Sequence, residues 1–310
     1  MTTMFRLLKC RQLQMKSCSR FIKATANVHL AASASFDNIP RRLMSSSNEE
    51  DQPPKTCDVV QGPSLLRTPV HRPSPSLLFL PGLRSIPMWT SLTNDGVNRV
   101  AYQDPVVSQV VDYLEGNVAT IRDEYLEHSP SVKSDYLVND HSKLHEGNWD
   151  WHSYMNKGSI QGHFAFHFRQ TATILQKLRE EHILFEGTPF GFCFFSTLHG
   201  NSRIKAHSSP INMRLRVHLP LVVPNVSLSS TSDGSDDELK CGIRVGPLVK
   251  PWVENKALVL DDAYDHEVWN ETDQTRVLLL VDIWHPDVTM VERKEIVGMF
   301  QQARGEGLWK

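Results

Sequence analysis

Short, regularly spaced strand segments in the second part of this 310-residue chain most constrain its fold. From Gly191 onward, runs rich in β-branched and aromatic residues alternate with turn residues, which is typical of consecutive strands. Several runs alternate in polarity with period two, so each presents two distinct faces. The predicted strands are Gly191–Leu198, Arg214–Val223, Gly242–Val245, Ala257–Asp261, His266–Asn270 and Arg276–Trp284. We therefore predict a mainly β (α+β) fold, a double-stranded β-helix of the cupin-like jelly-roll type with flanking helices.

Two helical patterns precede these strands and supply the flanking helices. Apolar residues recur at helical spacing between Asp104 and Leu126, and a second helix is predicted around Gln170–Glu181. Between the two patterns, the aromatic-rich segments 147–151 and 163–168 fit neither the helical nor the strand period. Nothing in the spacing of this middle region assigns it to an element.

Composition divides the chain into regions of different character. Residues 1–44 contain eight basic residues, one acidic residue and many Ser, Thr and Ala, which is the composition of an organelle transit peptide. Residues 45–75, rich in Ser, Pro and acidic residues, are predicted to form a flexible linker. We predict a single domain over 76–310, within which the Ser/Thr/Asp/Gly-rich stretch 225–240 is a surface insertion.

The basic amino-terminal segment also bears on location and partners. The run Arg41-Arg42-Leu43-Met44, followed by Ser45, resembles a mitochondrial processing site, so we predict a mitochondrial protein; a plastid or cytoplasmic location and a disordered basic tail are the alternatives.

Removing 1–44 would make the net charge of −2 considerably more negative, which argues against a nucleic-acid partner. No apolar run approaches the ~20 residues of a membrane helix, so no transmembrane segment is predicted. The sequence does not indicate an oligomeric state.

Two sequence blocks carry the chemistry. One contains His207 and runs into a strand, and the other contains His266 and is followed by Arg276. Neutral imidazoles bind first-row metals such as Fe(II), and buried arginines bind carboxylates through two parallel hydrogen bonds. A double-stranded barrel can bring two such histidines to one mouth. The blocks therefore predict a metal site beside a pocket for a small carboxylic acid.

The same blocks resemble a known family. The runs Ser196-Thr197-Leu198-His199-Gly200, His207-x-x-Pro210 with Asn212-x-Arg214-Leu215-Arg216-Val217-His218-Leu219, and Leu260-Asp261-Asp262-Ala263-Tyr264-Asp265-His266-Glu267-Val268-Trp269-Asn270 with Arg276 and Asp282-Ile283-Trp284-His285-Pro286 are similar to the aspartyl/asparaginyl β-hydroxylases. The resemblance extends over about Leu77 to Thr289 and is dense from Ser196 onward. It implies an Fe(II)- and 2-oxoglutarate-dependent dioxygenase on a double-stranded β-helix, which uses O2 to hydroxylate a C–H bond.

The resemblance also implies a two-histidine metal site. His207 and His266 match the iron ligands of the family. Most related oxygenases carry a carboxylate two residues after the first histidine, whereas this chain has Ser209 there. The family itself lacks that carboxylate, so the departure fits the resemblance but leaves weaker metal affinity.

Further residues match the acid-binding positions of the family. By resemblance Arg276, assisted by Ser196, binds the distal carboxylate of 2-oxoglutarate, while Arg216 and His218 contact cosubstrate or substrate carboxylates. Arg214, on the same strand face, is a candidate anchor for an acidic substrate group. A neighbouring cluster, Asp261, Asp262 and Asp265, either accepts hydrogen bonds from His266 or caps a turn.

The substrate remains open at this point. It is a protein, a peptide or a small molecule: an aspartyl or asparaginyl residue is one candidate and a lipid acyl chain another, because the family contains both branches. A non-catalytic cupin-like binding protein is the alternative of another class. A metal-dependent hydrolase, which would neither need Arg276 nor consume O2, is a third.

Overall fold

The computed structural model describes residues 78–92, 99–101, 104–136, 144–224 and 239–307. Thr56–Gln301 forms one compact unit, and the contacts discussed below lie within it. The predicted transit peptide (1–44), the predicted linker (45–75) and residues 225–238 of the predicted insertion lie outside the described residues.

Antiparallel strands dominate the described residues. They are β1 (Thr90–Leu92), β2 (Arg99–Ala101), β3 (His145–Glu146), β4 (Trp149–Asn156), β5 (Ser159–Ile160), β6 (Cys193–Leu198), β7 (Ser202–His207), β8 (Arg214–Val222), β9 (Cys241–Val245), β10 (Leu248–Lys250), β11 (Leu258–Leu260), β12 (His266–Asn270) and β13 (Arg276–Trp284). A large sheet has the order β11-β8-β13-β6-β4-β5, a small sheet the order β10-β9-β12-β7-β3, and β1 pairs with β2. Strands distant in sequence are neighbours in both sheets, and the predicted jelly-roll class is confirmed.

Each predicted strand has a counterpart within one or two residues of the expected ends, and β12 and β13 match at both ends. Two strands next to the site were not among the predicted strands: β4, which overlaps the aromatic-rich segment 147–151, and β7, which carries His207 at its last position. The other segment without an assignment, 163–168, contains a short helix.

The described helices are α1 (Pro105–Gly116), α2 (Val118–His128), α3 (Phe164–His167), α4 (Arg169–Glu180) and α5 (Met290–Gly305), with a 3-10 turn over Ser129–Ser131. The first helical pattern, expected as one helix, is divided between α1 and α2, because the backbone leaves helical geometry at Asn117. The apolar period continues across this break, which is why spacing alone did not show it. Within the described part of the chain, no helix combines the length and apolarity that crossing a membrane requires.

A buried carboxylate on α2 accepts hydrogen bonds from the amino terminus of α4. No side chain at the start of α4 caps its amino terminus. Instead Glu124 of α2, which is buried, accepts hydrogen bonds from the backbone N–H groups of Gln170 and Thr171, both at 2.7 Å, and from the Thr171 hydroxyl. A negative charge at a helix amino terminus satisfies orphan donors and complements the helix dipole.

The two faces of the large sheet have different partners. On β8, Leu215 and Val217 belong to an apolar cluster shared with α1, α2 and α4. A second cluster fills the space between the sheets, joining for example Leu278 of the large sheet to Ile243 and Val268 of the small one. Because side chains alternate along a strand, the residues between the helix-facing ones point into the space between the sheets. Arg214, Arg216 and His218 share that inner face, as the period-two pattern predicted.

Candidate functional site

The two predicted metal ligands face each other across neighbouring strands. β7 ends at His207, β12 begins at His266, and the two residues are directly paired in the antiparallel ladder. Their ring centroids are 4.2 Å apart. The ladder shifts register between His266 and Val268, and such bulges redirect side chains beside functional sites. The structure therefore brings together two histidines that the sequence places far apart.

Hydrogen bonding leaves one nitrogen of each histidine ring available. His207 Nδ1 lies 2.6 Å from the carbonyl oxygen of Lys205, and His266 Nδ1 lies 2.9 Å from that of Tyr264. A carbonyl oxygen can only accept, so each Nδ1 donates its proton and each Nε2 keeps a lone pair. Burial lowers the pKa of His207; burial, followed by the neighbouring His207, lowers the pKa of His266 to about 3. Neutral rings with Nδ1 held by a carbonyl are the form in which histidine binds a metal.

Ser209 holds the chain beside this pair. Its N–H donates to the carbonyl oxygen of Asp262 at 2.7 Å, and its Oγ accepts from the N–H of Ile211 at 3.3 Å. These bonds tie the segment after His207 to the turn before His266. The described residues contain no group of three or more His, Cys, Asp or Glu side chains placed to hold a metal ion, so within them no third ligand of these types joins the two histidines.

Arg214 and Arg216 form a closed ionic network with two carboxylates. Arg214 Nη1 donates to Asp282 at 2.8 Å, and its Nε and Nη2 donate to Asp262. Arg216 donates to Asp282 through Nε at 2.8 Å and Nη2 at 3.0 Å, and its Nη1 lies 3.3 Å from Asp262. Asp282 also accepts from the N–H of Phe192 at 3.0 Å. The four charges cancel, and the Arg214 guanidinium, predicted as a substrate anchor, is held by two protein carboxylates.

The aspartates around the second histidine serve different partners. Asp262 pairs with the two arginines, whereas Asp265 binds Arg244 Nη2 at 2.8 Å. Asp261 accepts from the N–H of Ala263 at 3.0 Å, which is the turn-capping role. The Nδ1 proton of His266 is held by a backbone carbonyl. Of the two roles considered for these aspartates, Asp261 has the second.

Arg276 is buried without a hydrogen-bonded anion. Its side chain is 1% exposed, and neither Nε nor Nη2 has a hydrogen-bond partner among the described residues. His218 Nδ1, also buried, has none there either. Burial lowers the pKa of Arg276 to about 10 and, with the nearby Arg216 and Arg276 charges, lowers that of His218 well below its usual range. A buried cation needs a paired anion, so the unsatisfied nitrogen atoms of Arg276 suit a carboxylate ligand.

Ser196 lies one pleat along the inner face from this arginine. Leu198 of β6 pairs with Arg276, and Ser196 pairs with Leu278. The indole Nε1 of Trp149 donates to Ser196 Oγ at 2.9 Å. The hydroxyl already accepts one bond, so its own proton remains to be donated to a ligand oxygen. Its position suits the assisting role that the resemblance implies.

Comparison with known proteins identifies the family. The sequence model described as Aspartyl/Asparaginyl beta-hydroxylase matches residues 115–286, more than half of the chain. The chain belongs to this family. The matched range includes both histidines and every predicted acid-binding residue.

Curated members of the family show how far the similarity extends. The human aspartyl/asparaginyl beta-hydroxylase is 29% identical over 221 residues, covering 71% of this chain and 26% of the human protein. The aspartate beta-hydroxylase domain-containing protein 2 of Xenopus tropicalis is 26% identical over 245 residues, 76% of this chain and 57% of that protein. The ornithine lipid ester-linked acyl 2-hydroxylase of Rhizobium tropici is 44% identical over 92 residues, 30% of this chain and 29% of that protein. The chain spans about a quarter of the length of the human relative.

Two residues of the site were not singled out by their chemistry in the sequence. Asp282 interrupts the apolar strand β13, and a charge at such a position signals a buried partner. Trp252 was not among the predicted site residues, yet its ring centroid lies 4.8 Å from the Arg276 guanidinium carbon. No spacing rule predicts that contact, because Trp252 lies in the connection between β10 and β11.

Proposed function

We propose that this protein is an Fe(II)- and 2-oxoglutarate-dependent dioxygenase that hydroxylates a C–H bond. The observation that carries the proposal is the buried guanidinium of Arg276, whose Nε and Nη2 have no hydrogen-bond partner among the described residues, together with the facing pair His207 and His266. An unpaired buried cation is costly, and a cosubstrate that supplies a carboxylate removes that cost on binding. Hydroxylase names among the relatives support the same class.

One set of residues would bind the metal, and another set would bind the acid. The Nε2 atoms of His207 and His266 would hold iron, and Arg276, Ser196 and His218 would hold 2-oxoglutarate. When bound, iron and 2-oxoglutarate supply the oxidising chemistry, in which O2 is consumed and 2-oxoglutarate gives succinate and CO2 while a substrate C–H is hydroxylated. The chain contributes orientation and the exclusion of water from a buried interior.

The arginine network completes the proposal. Arg216, held by Asp262 and Asp282, would contact a cosubstrate or substrate carboxylate from a fixed position. Arg214 stays the proposed anchor for an acidic substrate group. It would share its positive charge between that group and the two aspartates that it already contacts. The substrate itself is proposed to be either an aspartyl or asparaginyl side chain or an acyl chain, the two kinds named among the relatives.

Metal and cosubstrate binding can be tested without knowing the substrate. Purified protein is titrated with Fe(II) and 2-oxoglutarate under anaerobic conditions while visible absorption is recorded, and succinate and O2 consumption are then measured after air is admitted. We expect an absorption band and slow succinate formation in the wild type, and neither in His207→Ala or His266→Ala. His199→Ala, a half-exposed histidine paired with Asp150, is the matched control. Normal succinate formation in either ligand variant would disprove the ligand assignment. Absence of metal binding would favour the binding protein, and metal binding without O2 consumption would favour the hydrolase.

The acid pocket has a separate test. Arg276→Met should abolish 2-oxoglutarate binding without lowering the stability of the ligand-free protein, because the substitution removes a buried charge that has no anionic partner among the described residues. Chemical denaturation of the ligand-free variant measures the second part of this expectation. A variant that still binds 2-oxoglutarate with wild-type affinity would refute the assignment of Arg276.

Location is proposed from the sequence alone. We propose that residues 1–44 direct the protein to mitochondria, with plastids or the cytoplasm as alternatives. Fusing 1–44 to a fluorescent protein and imaging it in plant and animal cells distinguishes the three.

A further inference from the structure

Trp252 lies against Arg276 and His218, which both carry buried nitrogen atoms without hydrogen-bond partners among the described residues. The tryptophan side chain is buried, its ring faces the Arg276 guanidinium at 4.8 Å, and its ring centroid is 6.2 Å from that of His218. Its own Nε1 has no hydrogen-bond partner among the described residues. Three neighbouring side chains, from three different elements, thus each hold at least one unsatisfied polar atom.

Comparison with four other tryptophans shows that this position is distinctive. Trp149 and Trp269 donate their indole protons to Ser196 and to the Leu239 carbonyl. Trp89 and Trp151 also lack partners for Nε1 within the described residues, but they pack against His285 and Phe194. The unsatisfied indole of Trp252 is the one that accompanies an unsatisfied arginine. One ligand bound to all three side chains would account for their unsatisfied polar atoms. Without such a ligand, each of the three would need an explanation of its own.

We propose that Trp252 is a specificity-determining wall of the cosubstrate pocket, which fixes the Arg276 guanidinium by stacking and donates its indole N–H to the bound acid. The inference deepens the proposed function and rests on it. A stacked guanidinium keeps its donor fork in one plane, so less rotamer freedom is lost when a carboxylate binds. A carboxylate offers about four acceptor sites, enough for the arginine fork and an indole N–H together.

A rigid indole at this position also limits the length of the acid. The Trp252 indole is buried and has only two side-chain torsions, so it yields less readily to a longer acid than a flexible side chain would. We therefore expect selection for the five-carbon 2-oxoglutarate over the six-carbon 2-oxoadipate. Replacing the indole with a smaller side chain should relax that selection, because it opens space beside the arginine.

Two variants separate stacking from hydrogen bonding. Trp252→Phe keeps an aromatic face for Arg276 but removes the N–H, and Trp252→Leu removes both. Trp269→Phe is the matched control, because it removes an indole N–H that donates to the Leu239 carbonyl oxygen instead. Calorimetry on the Mn(II)-loaded proteins, which do not turn over, gives affinities for 2-oxoglutarate, 2-oxoadipate and glutarate. Circular dichroism establishes that each variant is folded.

We expect Trp252→Phe to weaken 2-oxoglutarate binding about tenfold, the effect of one hydrogen bond to a charged group. Trp252→Leu should weaken it further and narrow the preference over 2-oxoadipate, while the control binds as the wild type does. Wild-type affinity in Trp252→Phe would disprove the donated N–H, and wild-type affinity and preference in both variants would disprove the wall. If Trp252→Leu fails to fold, Trp252→Phe decides alone.

The same panel separates this inference from the proposed function. If the wild type binds glutarate but not 2-oxoglutarate, and the Trp252 variants weaken that binding, the wall is supported and the proposed cosubstrate is wrong. If the wild type binds none of the three acids, both the wall and the proposed cosubstrate are overturned.

Discussion

Replacing Asp282 with asparagine tests whether the buried ionic network stabilises the fold. The carboxylate is fully buried and accepts from Arg214 Nη1, from Arg216 Nε and Nη2, and from the N–H of Phe192, at 2.8 to 3.0 Å. The amide of asparagine retains one acceptor oxygen and introduces two donors. Those donors would face guanidinium groups, which have no acceptor, and the interior would hold one uncompensated positive charge.

The expected loss is large. Removing one partner of a buried ion pair costs about 3–5 kcal/mol, because the remaining charge stays buried. A domain of ordinary stability has about 5–15 kcal/mol in total, so we expect Asp282→Asn to lose a substantial fraction of its free energy of unfolding. Urea denaturation followed by tryptophan fluorescence and by circular dichroism measures this loss, with coincident transitions as the check for two-state unfolding.

Two comparisons make the result interpretable. Glu271→Gln breaks the exposed pair with Arg203, whose atoms lie 2.9 Å apart with about half of each side chain exposed, and should cost about 0–1 kcal/mol. The double variant Asp282→Leu with Arg216→Met removes one charge of each sign, and should recover part of the loss of Asp282→Leu. A loss below about 1 kcal/mol in Asp282→Asn, or no recovery in the double variant, would refute the view that burial of unpaired charge sets the cost.

Three further variants test local features. Glu124→Ala should cost about 2 kcal/mol and lower the helical circular dichroism signal, because it removes the carboxylate that caps α4 at Thr171; an unchanged unfolding midpoint would contradict this. Asp104→Ala, which removes the capping bonds of α1, should cost about 1 kcal/mol in the same denaturation assay, and no loss would remove its capping role. Gly191→Ala should lower the melting temperature markedly, because a Cβ there would overlap the carbonyl oxygen of Phe185; wild-type melting would show that the backbone yields easily.

Much of the fold follows from local pattern. The strands β8, β12 and β13 were predicted because apolar and polar residues alternate or run continuously between turns. β4 was missed because its run of Trp, His, Ser and Tyr mixes large polar and aromatic residues without a clear period. Its partners are provided by β6 and a network of ring contacts, such as Trp151 stacked on Phe194 at 3.9 Å. Those are tertiary interactions that no local pattern encodes.

In the candidate site, too, local pattern predicted where residues lie but not which partners they contact. Position in a strand–turn block identified His207 and His266, and both lie where a strand ends or begins. Spacing could not predict that Arg276 has no carboxylate partner among the described residues while Arg214 has two, because each outcome depends on which carboxylates the fold brings near. Sequence spacing gives the face of a strand on which a residue lies; the charge opposite it comes from another element altogether.

The closed network of two arginines and two aspartates also constrains how the protein can vary between species. Its members come from β8, from the turn before β12 and from β13, and each neutralises more than one other. A lineage that exchanged a single member for a neutral residue would bury an unpaired charge and lose much of its stability at once. We expect Arg214, Arg216, Asp262 and Asp282 to be inherited as a set, changing together or not at all, even where the residues that contact the substrate diverge.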